Sequence, residues 1–469
     1  MNHIPMTRKI ILSEVEPQRL PSPTEVPSLP REVYASRLAS IRQRMREKSL
    51  DSLVIYGDRE HFANMAFASG YDPRFEEALL VIPSQGEPTL MVGNEGLGYS
   101  KATLKVDCEV LLVQLFSLLG QPRGGTEDFM SFMRTSGIKR GMRVGTAGWK
   151  YFEKSEFDDP GRQIEIPSFI VDALRQIAGL GNVINANDIF MHPEYGLRVV
   201  NDFHQIAYSE YAATIASQAI HEMIEGLEPG MTEYEAVRLM KLSGLPHSFH
   251  PVLMSGERTD HGLASPSSRV IEVGDPLLAG LGFWGSAVCR AAYLVQDSSE
   301  LPTLDVDYVK NLCFPYFEMM TKWYEVLAID AAAGEIFEEV SRITNMYGFK
   351  LALTPGHLTH LDEWVNTPFF EGSSFKIKSG MLLQSDFIPV VENGHFGVNV
   401  EDTLAIANEE TRCELQKRYP ETYRRIMMRK DFMADTLGIN LRSEVLPLCD
   451  NQALLRPYLL SHSTGVRFK

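Results

Sequence analysis

A long amphipathic helix, a short second helix and a strand-rich segment follow one another twice in the C-terminal part of this 469-residue chain. In the first copy, apolar residues recur near helical spacing from Ile206 to Leu227, and Thr232-x-x-Glu235 forms a capping box for the next helix. The second copy covers about residues 305–347 and has a small-residue break at 331–334. Helix pairs also recur by chance, but this repeat predicts two αβ halves about a pseudo-twofold axis, with a site between their sheets.

The composition excludes several classes of protein. The net charge of −16 disfavours binding to nucleic acids or to anionic membranes. No apolar run approaches the roughly 18–20 residues of a membrane span, and residues 1–9 lack the apolar core of a signal peptide. The five cysteines are odd in number and scattered, with no CxxC pair. This pattern predicts reduced thiols in a cytoplasmic protein.

Apolar runs and turn residues predict that the chain is divided into four segments. Residues 1–32 are proline-rich and predict an extended segment that lies on a surface. Strand-like runs alternate with helical segments and predict a mixed α/β domain over residues 33–195; the runs are 53–56, 78–82, 89–92 and 110–113. Turn residues at 192–196 end this domain. The duplicated region gives a domain over residues 196–410, and residues 411–469 form a C-terminal extension.

An ordered series of short motifs gives the chain a specific resemblance. The motifs are Leu-Glu-Pro-Gly-Met-Thr-Glu at 227–233, Met-Ser-Gly-Glu-Arg-Thr-Asp at 254–260, Gly-Asp at 274–275, Arg290, Pro-Gly-His at 355–357, Ser-Gly-Met at 379–381 and Val-Glu-Asp-Thr at 400–403. This order resembles the creatinase, prolidase and aminopeptidase P family, which is of the M24 type. Asn-Met-Ala-Phe-Ala-Ser-Gly-Tyr at 64–71 resembles the first domain of that family. The resemblance implies an α+β fold, with a creatinase-type N-terminal α/β domain followed by a pita-bread catalytic domain.

The resemblance also implies where metal ligands would lie. In the family's peptidases, two aspartates, one histidine and two glutamates bind two divalent cations. The histidine corresponds to His357 and the glutamates to Asp386 and Glu401, but the aspartates correspond to Gly280 and Ala287. Because a dinuclear centre needs bridging carboxylates that hold two cations about 3.5–4 Å apart, we expect no dinuclear centre. The three remaining residues are either ligands of a single divalent cation or hydrogen-bonding residues of a polar cleft.

Histidines are the predicted catalytic residues. Creatinase, within this family, hydrolyses a C–N bond without a metal and uses a catalytic histidine near the segment that corresponds to residues 255–263. The matching position is Leu263, and His261 lies two residues earlier, as a displaced catalytic base or as an exposed loop histidine. Because an imidazole pKa of about 6.5 suits proton transfer at neutral pH, His261, His357 and His360 are the candidates.

Two features of residues 280–290 indicate other chemistry, and we reject both. Gly-Leu-Gly-Phe-Trp-Gly at 280–285 matches G-x-G-x-x-G, but residues 286–295 read as a strand. Without a helix N-terminus at that place, the glycines do not form a phosphate site. Cys289 is predicted to be a packing residue and not a nucleophile, because nothing in the sequence argues for a lowered thiol pKa.

A pocket with acidic and aromatic residues is the predicted ligand site. Asp386 and Glu401 would face each other in a partly dry pocket lined by Phe283, Trp284 and Trp364, and Trp364 stands where the family has a second, substrate-contacting histidine. Two carboxylates so placed need a cationic partner, and aromatic rings add a cation–π attraction of roughly 0.5–2 kcal/mol. We therefore expect a small cationic or zwitterionic ligand in place of the metals.

The predicted function is hydrolysis of a C–N bond in a small amino, amide or amidine compound, without a dinuclear metal centre. The alternatives are a catalytically inactive binding protein that kept the fold, and an Xaa-Pro aminopeptidase or prolidase. No cofactor beyond a single divalent cation is expected, and neither a nucleic acid nor a membrane is an expected partner. The apolar tail at 437–469 must be buried on its own chain or in an interface. Because the family's members are commonly dimers, we expect a homodimer.

Overall fold

The computed structural model describes residues 8–124, 128–390 and 397–469. The chain forms two compact units: the smaller is Leu29–Arg198, and the larger combines Val199–Lys469 with the chain up to Ser28. The first strand, β1 (Ile10–Glu14), belongs to the larger unit. Among the described residues, no helix is both long and apolar enough to cross a membrane.

The smaller unit is built on a mixed β-sheet. Its strands are β2 (Ser52–Gly57), β3 (Ala78–Pro83), β4 (Thr89–Val92), β5 (Glu109–Leu112), β6 (Val144–Ala147) and β7 (Val183–Asn185), in the order β5-β4-β3-β2-β6-β7. Its helices are α1 (Arg31–Glu47), α2 (Ala63–Ser69), α3 (Asn94–Thr103), α4 (Phe129–Thr135), α5 (Ser168–Ala178) and α6 (Asp188–Met191). Every residue of β2 and β4 is buried, which explains why these strands read as continuous runs and not as alternating ones. The four predicted strand-like runs are confirmed as β2 to β5.

The described part of the larger unit contains two four-stranded antiparallel sheets, which we call sheet A and sheet B, and two two-stranded sheets, β1-β18 and β11-β14. Sheet A has the order β15-β10-β9-β8, and sheet B has the order β12-β13-β16-β17. The strands are β8 (His247–Ser255), β9 (Pro276–Phe283), β10 (Val288–Tyr293), β11 (Lys350–Leu351), β12 (His357–Leu358), β13 (Leu382–Gln384), β14 (Pro389–Val390), β15 (Asn399–Glu401), β16 (Thr403–Ile406), β17 (Val445–Pro447) and β18 (Thr464–Phe468). The helices are α7 (Phe203–Gly226), α8 (Glu233–Arg238), α9 (Phe314–Val326), α10 (Ala333–Tyr347), α11 (Glu409–Arg418) and α12 (Pro420–Asp431).

Local sequence signals set the start of the first helix pair. Helix α7 begins at Phe203 because the Asp202 carboxylate accepts hydrogen bonds from two main-chain N–H groups of its first turn. The predicted capping box of α8 is confirmed: Thr232 and Glu235 satisfy each other's main-chain N–H groups. The apolar stripe of α7 packs in one core with residues of sheet A. The sequence therefore specifies both this helix and the face that it buries.

The predicted duplication recurs in the main-chain hydrogen bonds. Before α8, Gly230 N donates to Ile271 O at 2.8 Å; before α10, Asp330 N donates to Ile377 O at 2.9 Å. Both donors have a left-handed φ, of 98° and 68°. A second pair of equivalent turns precedes strands β9 and β13. These turns contain Gly274 and Gly380, whose φ values are 90° and 93°. The halves that begin with α7 and α9 therefore share one backbone frame, as the repeat predicted.

The tail after α12 is buried on its own chain. Leu437, Ile439, Leu446, Leu448 and Leu459 are each at most 2% exposed. Strand β17 extends sheet B, and β18 pairs with β1. The sequence left open whether the tail is buried on its own chain or in an interface. It is buried on its own chain, so its apolar residues give no reason to expect an interface. The homodimer stays a prediction, which light scattering would check by a mass near twice 52.7 kDa.

Buried ion pairs tie this tail to the first helix of the larger unit. Arg429 of α12 contacts Glu210 of α7 at 2.7 Å and Asp450 of the tail at 2.8 Å. Arg425 adds a second contact to Glu210 at 2.6 Å. Two arginines thus meet two carboxylates, and the buried charges balance.

Candidate functional site

Gly280, Cys289 and Glu401 stand in one row across sheet A. Cys289 of β10 pairs in register with Gly280 of β9 on one side and with Glu401 of β15 on the other. Because directly opposite residues of antiparallel strands point to the same face, the Cys289 thiol lies between position 280 and the Glu401 carboxylate. Burial and the neighbouring Glu401 carboxylate raise the pKa of this thiol well above its usual value.

His357 and Asp386 approach the same carboxylate from sheet B. His357 begins β12, and Asp386 lies two residues after the end of β13. One ligand atom each of His357, Asp386 and Glu401 lies within 4.8 Å of the other two, and all three residues are buried. The structure thus brings together the three residues that the resemblance assigns as possible metal ligands.

A hairpin at 358–366 folds Glu363 and Trp364 back onto His357. Main-chain hydrogen bonds of 2.7 and 2.9 Å join its two arms. Glu363 Oε1 lies 3.0 Å from His357 Nε2. The Trp364 ring stacks on the imidazole, with ring centroids 4.0 Å apart and planes 21° from parallel. One side chain of the hairpin therefore binds the edge of His357, and the next covers its face.

These contacts determine the ionisation of the centre. Burial alone would lower the pKa of His357, but the negative charge of Glu363, together with those of Asp386 and Glu401, raises it to about 9. Burial raises the pKa of Glu401 well above its usual range, and Asp386 and Glu363 raise it further. Burial also raises the pKa of Asp386, although Asn399 Nδ2 donates a hydrogen bond to it at 3.2 Å. The centre thus favours a positively charged occupant.

The positions of the two missing acids offer no metal ligands. Gly280 has no side chain, and Ala287 presents only a buried methyl group. A Cβ atom added at position 280 would lie 2.7 Å from Cys289 Sγ, so the thiol already fills the adjoining space. Two metal ions need bridging carboxylates, and this donor set does not fit them. The clustered atoms of His357, Asp386 and Glu401 do fit a single ion.

Arg290 and Asp402 fix the strand that carries Glu401. Arg290 Nη1 donates to the Glu401 carbonyl oxygen at 2.8 Å, and Nη2 donates to Asp402 Oδ1 at 2.7 Å. Asp402 also accepts a hydrogen bond from Ala453 N at 2.9 Å. Burial would lower the pKa of Arg290, but Asp402 outweighs it and raises this pKa. These two motif residues therefore act on the centre by holding its backbone.

The other predicted site residues lie in different surroundings. His360 is fully buried on the same hairpin as Glu363. Phe283 belongs to the hydrophobic core between α7 and sheet A, and Trp284 is half-buried in the turn after β9. His261 is exposed in a short helical turn, which favours its interpretation as a loop histidine.

The glycine-rich motif at 280–285 is part of a hairpin. Strand β9 ends at Phe283, and β10 follows from Val288 and pairs antiparallel with it. The prediction that a strand and not a helix follows the motif is confirmed. No helix N-terminus stands behind these glycines, so they do not form a phosphate site.

Sequence reasoning missed Glu363 as a residue of the centre. It lies six positions after His357, in the run Leu361-Asp362-Glu363-Trp364. The signal was an acidic pair between two apolar residues, close to the predicted metal histidine. Only the closed hairpin shows which of the two acids reaches the imidazole.

Comparison with known proteins identifies similar sequences and folds. Residues 207–408 match the sequence profile of Peptidase_M24, metallopeptidase family M24. The chain is similar to a prolidase from Pyrococcus horikoshii OT3 with 18% identity and a TM-score of 0.60, over 79% of this chain and 95% of that chain. A recombinant prolidase from Thermococcus sibiricus gives 18% identity and a TM-score of 0.62, over 80% and 95% of the two chains. An X-Pro aminopeptidase from Thermotoga maritima MSB8 gives 16% and 0.59, over 79% and 95%.

No curated protein matches the chain. Structural likeness at these identities establishes the fold, which is the α+β pita-bread fold with a preceding N-terminal domain. The resemblance to the creatinase, prolidase and aminopeptidase P family, and the fold that it implied, are both confirmed.

Proposed function

We propose, because residues 207–408 match the profile of metallopeptidase family M24, that this chain hydrolyses a C–N bond of a small amino, amide or amidine compound. In this proposal the centre around His357 does not hold two metal ions. The buried carboxylates of Asp386 and Glu401, with the partly exposed carboxylate of Glu363 nearby, attract a substrate that is cationic or zwitterionic. We keep the cytoplasm as the proposed location, which the free thiols of the cysteines support.

One observation carries this proposal. The donor cluster of His357, Asp386 and Glu401 is intact, whereas Gly280 and Ala287 stand where the family's peptidases have aspartates. A hydrolytic fold with only part of its metal ligands supports a reaction other than the two-metal cleavage of peptides.

The reaction needs a group that moves one proton. Hydrolysis forms a bond from the carbon to the oxygen of water, breaks the C–N bond and delivers a proton of the water to the leaving nitrogen. General acid–base catalysis of this transfer requires a proton-transfer group, most often a histidine, within hydrogen-bonding reach of that nitrogen. The candidates are His357, which directly precedes the hairpin, and His360, which lies in it. The exposure of His261 argues against a catalytic role for that histidine.

A catalytically inactive binding protein is the second candidate function. Its support is the hairpin, because Glu363 and Trp364 occupy the edge and the face of His357. A histidine engaged on both sides is poorly placed to reach a substrate without movement of the hairpin.

An Xaa-Pro peptidase is the third candidate function. Its support comes from the similar solved structures, whose names are prolidase and X-Pro aminopeptidase. The absence of side-chain ligands at positions 280 and 287 argues against it.

A turnover screen tests the proposal. The purified full chain would be incubated with guanidino compounds, small amides, amino compounds and Xaa-Pro dipeptides, before and after treatment with a chelator, and the released amine measured. We expect release from a compound that is not a dipeptide, and its loss in His360→Gln if this histidine moves the proton. Release from Xaa-Pro dipeptides alone would contradict the proposal. Saturable binding without release would favour the binding protein.

A further inference from the structure

A small cavity of the larger unit lies between α7, sheet A and the tail. Its lining includes two arginines, Arg290 of β10 and Arg456 of the tail, but none of His357, Asp386 and Glu401. The cavity is therefore separate from the centre described above. We propose that Arg290 and Arg456 bind a single small monovalent anion of the size of chloride in this cavity.

The guanidinium group of Arg456 has no carboxylate partner. Of its five N–H donors, one binds His221 Nδ1 at 2.6 Å and one approaches the His462 carbonyl oxygen at 3.5 Å. Within the described chain, no aspartate or glutamate lies within 4.0 Å of this group. Burial, and then the charge of Arg290, lower the pKa of Arg456 to about 10, so the side chain is still charged at neutral pH. A half-buried positive charge thus has N–H donors to offer to an anion.

His221 of α7 orients this guanidinium group without neutralising it. Because Nδ1 accepts the hydrogen bond from Arg456, this nitrogen carries no proton. Burial, and then the charge of Arg456, lower the pKa of His221 to about 4, so the imidazole is neutral at pH 7. Its other nitrogen, Nε2, lies 3.0 Å from Glu225 Oε1. The histidine therefore fixes the position of Arg456 and adds no charge of its own.

The other charged groups around the cavity already have partners. Arg290 pairs with Asp402 at 2.7 Å, and Glu225 pairs with Arg19 at 2.8 Å. Asp450 belongs to the balanced cluster of two arginines and two carboxylates that ties the tail to α7. Among the described residues, the tail arginine is therefore the charge around this cavity that lacks a counter-charge. An anion in the cavity would supply it.

The space and the walls of the cavity decide which anion fits. The cavity has a volume of about 30 Å³, and a single water needs roughly 10–15 Å³, so the occupant has about the size of one or two waters. Ile220, Val288 and Leu459 line the space with apolar groups. Apolar walls and one uncompensated charge disfavour sulfate and phosphate, because their second charge would be buried without a partner. Chloride meets both conditions.

An anion at this place would join the tail to sheet A. Arg290 already holds the backbone of Glu401 and the side chain of Asp402. An anion shared with Arg456 would connect this part of sheet A to the end of the chain. Arg456 lies beyond residues 207–408, which match the M24 profile. The inferred site is therefore a feature of this chain's tail, and it does not rest on the proposed hydrolysis.

Chloride titration tests this inference without any substrate. The full chain would be exchanged into sodium gluconate and titrated with sodium chloride at constant ionic strength, and binding followed by the line width of the chloride NMR signal. We expect saturable broadening that bromide reverses, and a melting temperature that rises with chloride. Arg456→Gln should weaken binding at least about 10-fold, because a charged hydrogen-bond donor is lost. Arg442→Gln, which removes an exposed arginine of the same tail, is the matched control and should bind as the unmodified protein does.

A crystal of the unmodified protein soaked in bromide locates the anion whether or not Arg456→Gln folds. We expect an anomalous peak between Arg290 and Arg456. A peak only elsewhere, no saturable chloride binding, or full affinity in a folded Arg456→Gln would overturn the inference. Tighter binding of sulfate or phosphate than of chloride would contradict the size and charge inferred for the occupant.

Discussion

Equivalent positions in the two halves of the larger unit carry different residues. Gly280 lies six residues after the left-handed glycine of the first half, and Asp386 lies six residues after its equivalent in the second half. Gly280 pairs with Cys289 in sheet A. The register of β13 with β16, continued by two residues, places Asp386 opposite Glu401. The equivalent cross-strand pair is therefore Gly280 and Cys289 in the first half, and Asp386 and Glu401 in the second half.

The shared frame explains how the halves could diverge. Main-chain hydrogen bonds form the equivalent turns, and Gly230 in one half can be Asp330 in the other. Because these bonds do not use the side chains that face the centre, acids at those positions can be lost without loss of the fold.

Buried acids also differ between the halves in how they are satisfied. Glu233 accepts hydrogen bonds from the main-chain and hydroxyl groups of Ser255 and Ser267, at 2.7 to 2.9 Å, and pairs with Arg258. Burial would raise its pKa, but these partners together lower it. The pKa of Glu401 is instead raised by burial, and one of its oxygens has no hydrogen bond within the described chain. An acid in the first half thus stabilises the fold, and one in the second half is kept at a cost.

Removal of Glu233 should give the largest loss of stability. In Glu233→Ala, Arg258 and four hydrogen-bond donors lose their partner, and we expect a free energy of unfolding lower by about 3 kcal/mol at neutral pH. Because the folded-state pKa is lowered, the contribution of Glu233 is present above its unfolded pKa of about 4.3 and is lost as the pH falls through the folded value. Urea unfolding at neutral and acidic pH measures both. Glu335→Ala, which removes an exposed acid of the other half, is the control. An equal decrease in the free energy of unfolding of both variants would contradict this difference between the halves.

A methyl group at position 280 should be the next most harmful change. The added carbon of Gly280→Ala would lie 2.7 Å from Cys289 Sγ, and overpacking of this kind costs about 1–3 kcal/mol. The loss should largely disappear when Cys289→Ala is added, because the sulfur is then gone. Chemical denaturation of the two single variants and the double variant gives the coupling. Gly98→Ala, where the new carbon meets nothing within 4 Å, is the control. Additive losses would mean that the thiol does not fill the lost acid's space.

The turns before α8 and α10 should respond unequally to substitution. Gly230 has open space around a new carbon but a φ of 98°, so Gly230→Ala should cost about 1 kcal/mol through backbone strain alone. Asp330→Gly should change stability by less, since aspartate tolerates its φ of 68° and glycine adds entropy to the unfolded chain. Thermal melts of both variants check the order. A larger effect at Asp330 would argue against equivalent turns.

Neutral replacements of the clustered acids should have the smallest effect on stability. Asp386→Asn and Glu401→Gln remove a charge that burial disfavours, so the melting temperature should stay equal or rise, while binding of the ion or ligand is lost. Asp402→Asn, the neighbour of Glu401, should instead lower stability because it leaves Arg290 buried without its ion pair. Calorimetric scans at neutral pH measure all three. Full ligand affinity in the first two variants would make these acids relics.

Much of the fold was readable from the sequence because local signals coincide with the tertiary structure. The apolar stripe and the capping box specify α7 and α8, and the buried runs specify strands of the smaller unit. The family motifs placed His357, Asp386 and Glu401 in one cleft before their distances were known. Phe283 was assigned to that cleft because it is aromatic and close in sequence, yet it belongs to the core behind sheet A. Strand alternation decides which face a side chain joins, and the motif alone does not set it.

The sequence by itself determined the fold, the order of its motifs and the absence of acids at positions 280 and 287, since these depend on residue type and spacing along the chain. Only the tertiary structure decided what surrounds the remaining acids. The thiol of Cys289 fills the space beside Gly280 because two strands pair in one register, and Glu363 reaches His357 because a hairpin closes. The first contact joins two strands and the second closes across a turn. Such contacts depend on how the elements pack, which residue types and their spacing along the chain do not specify.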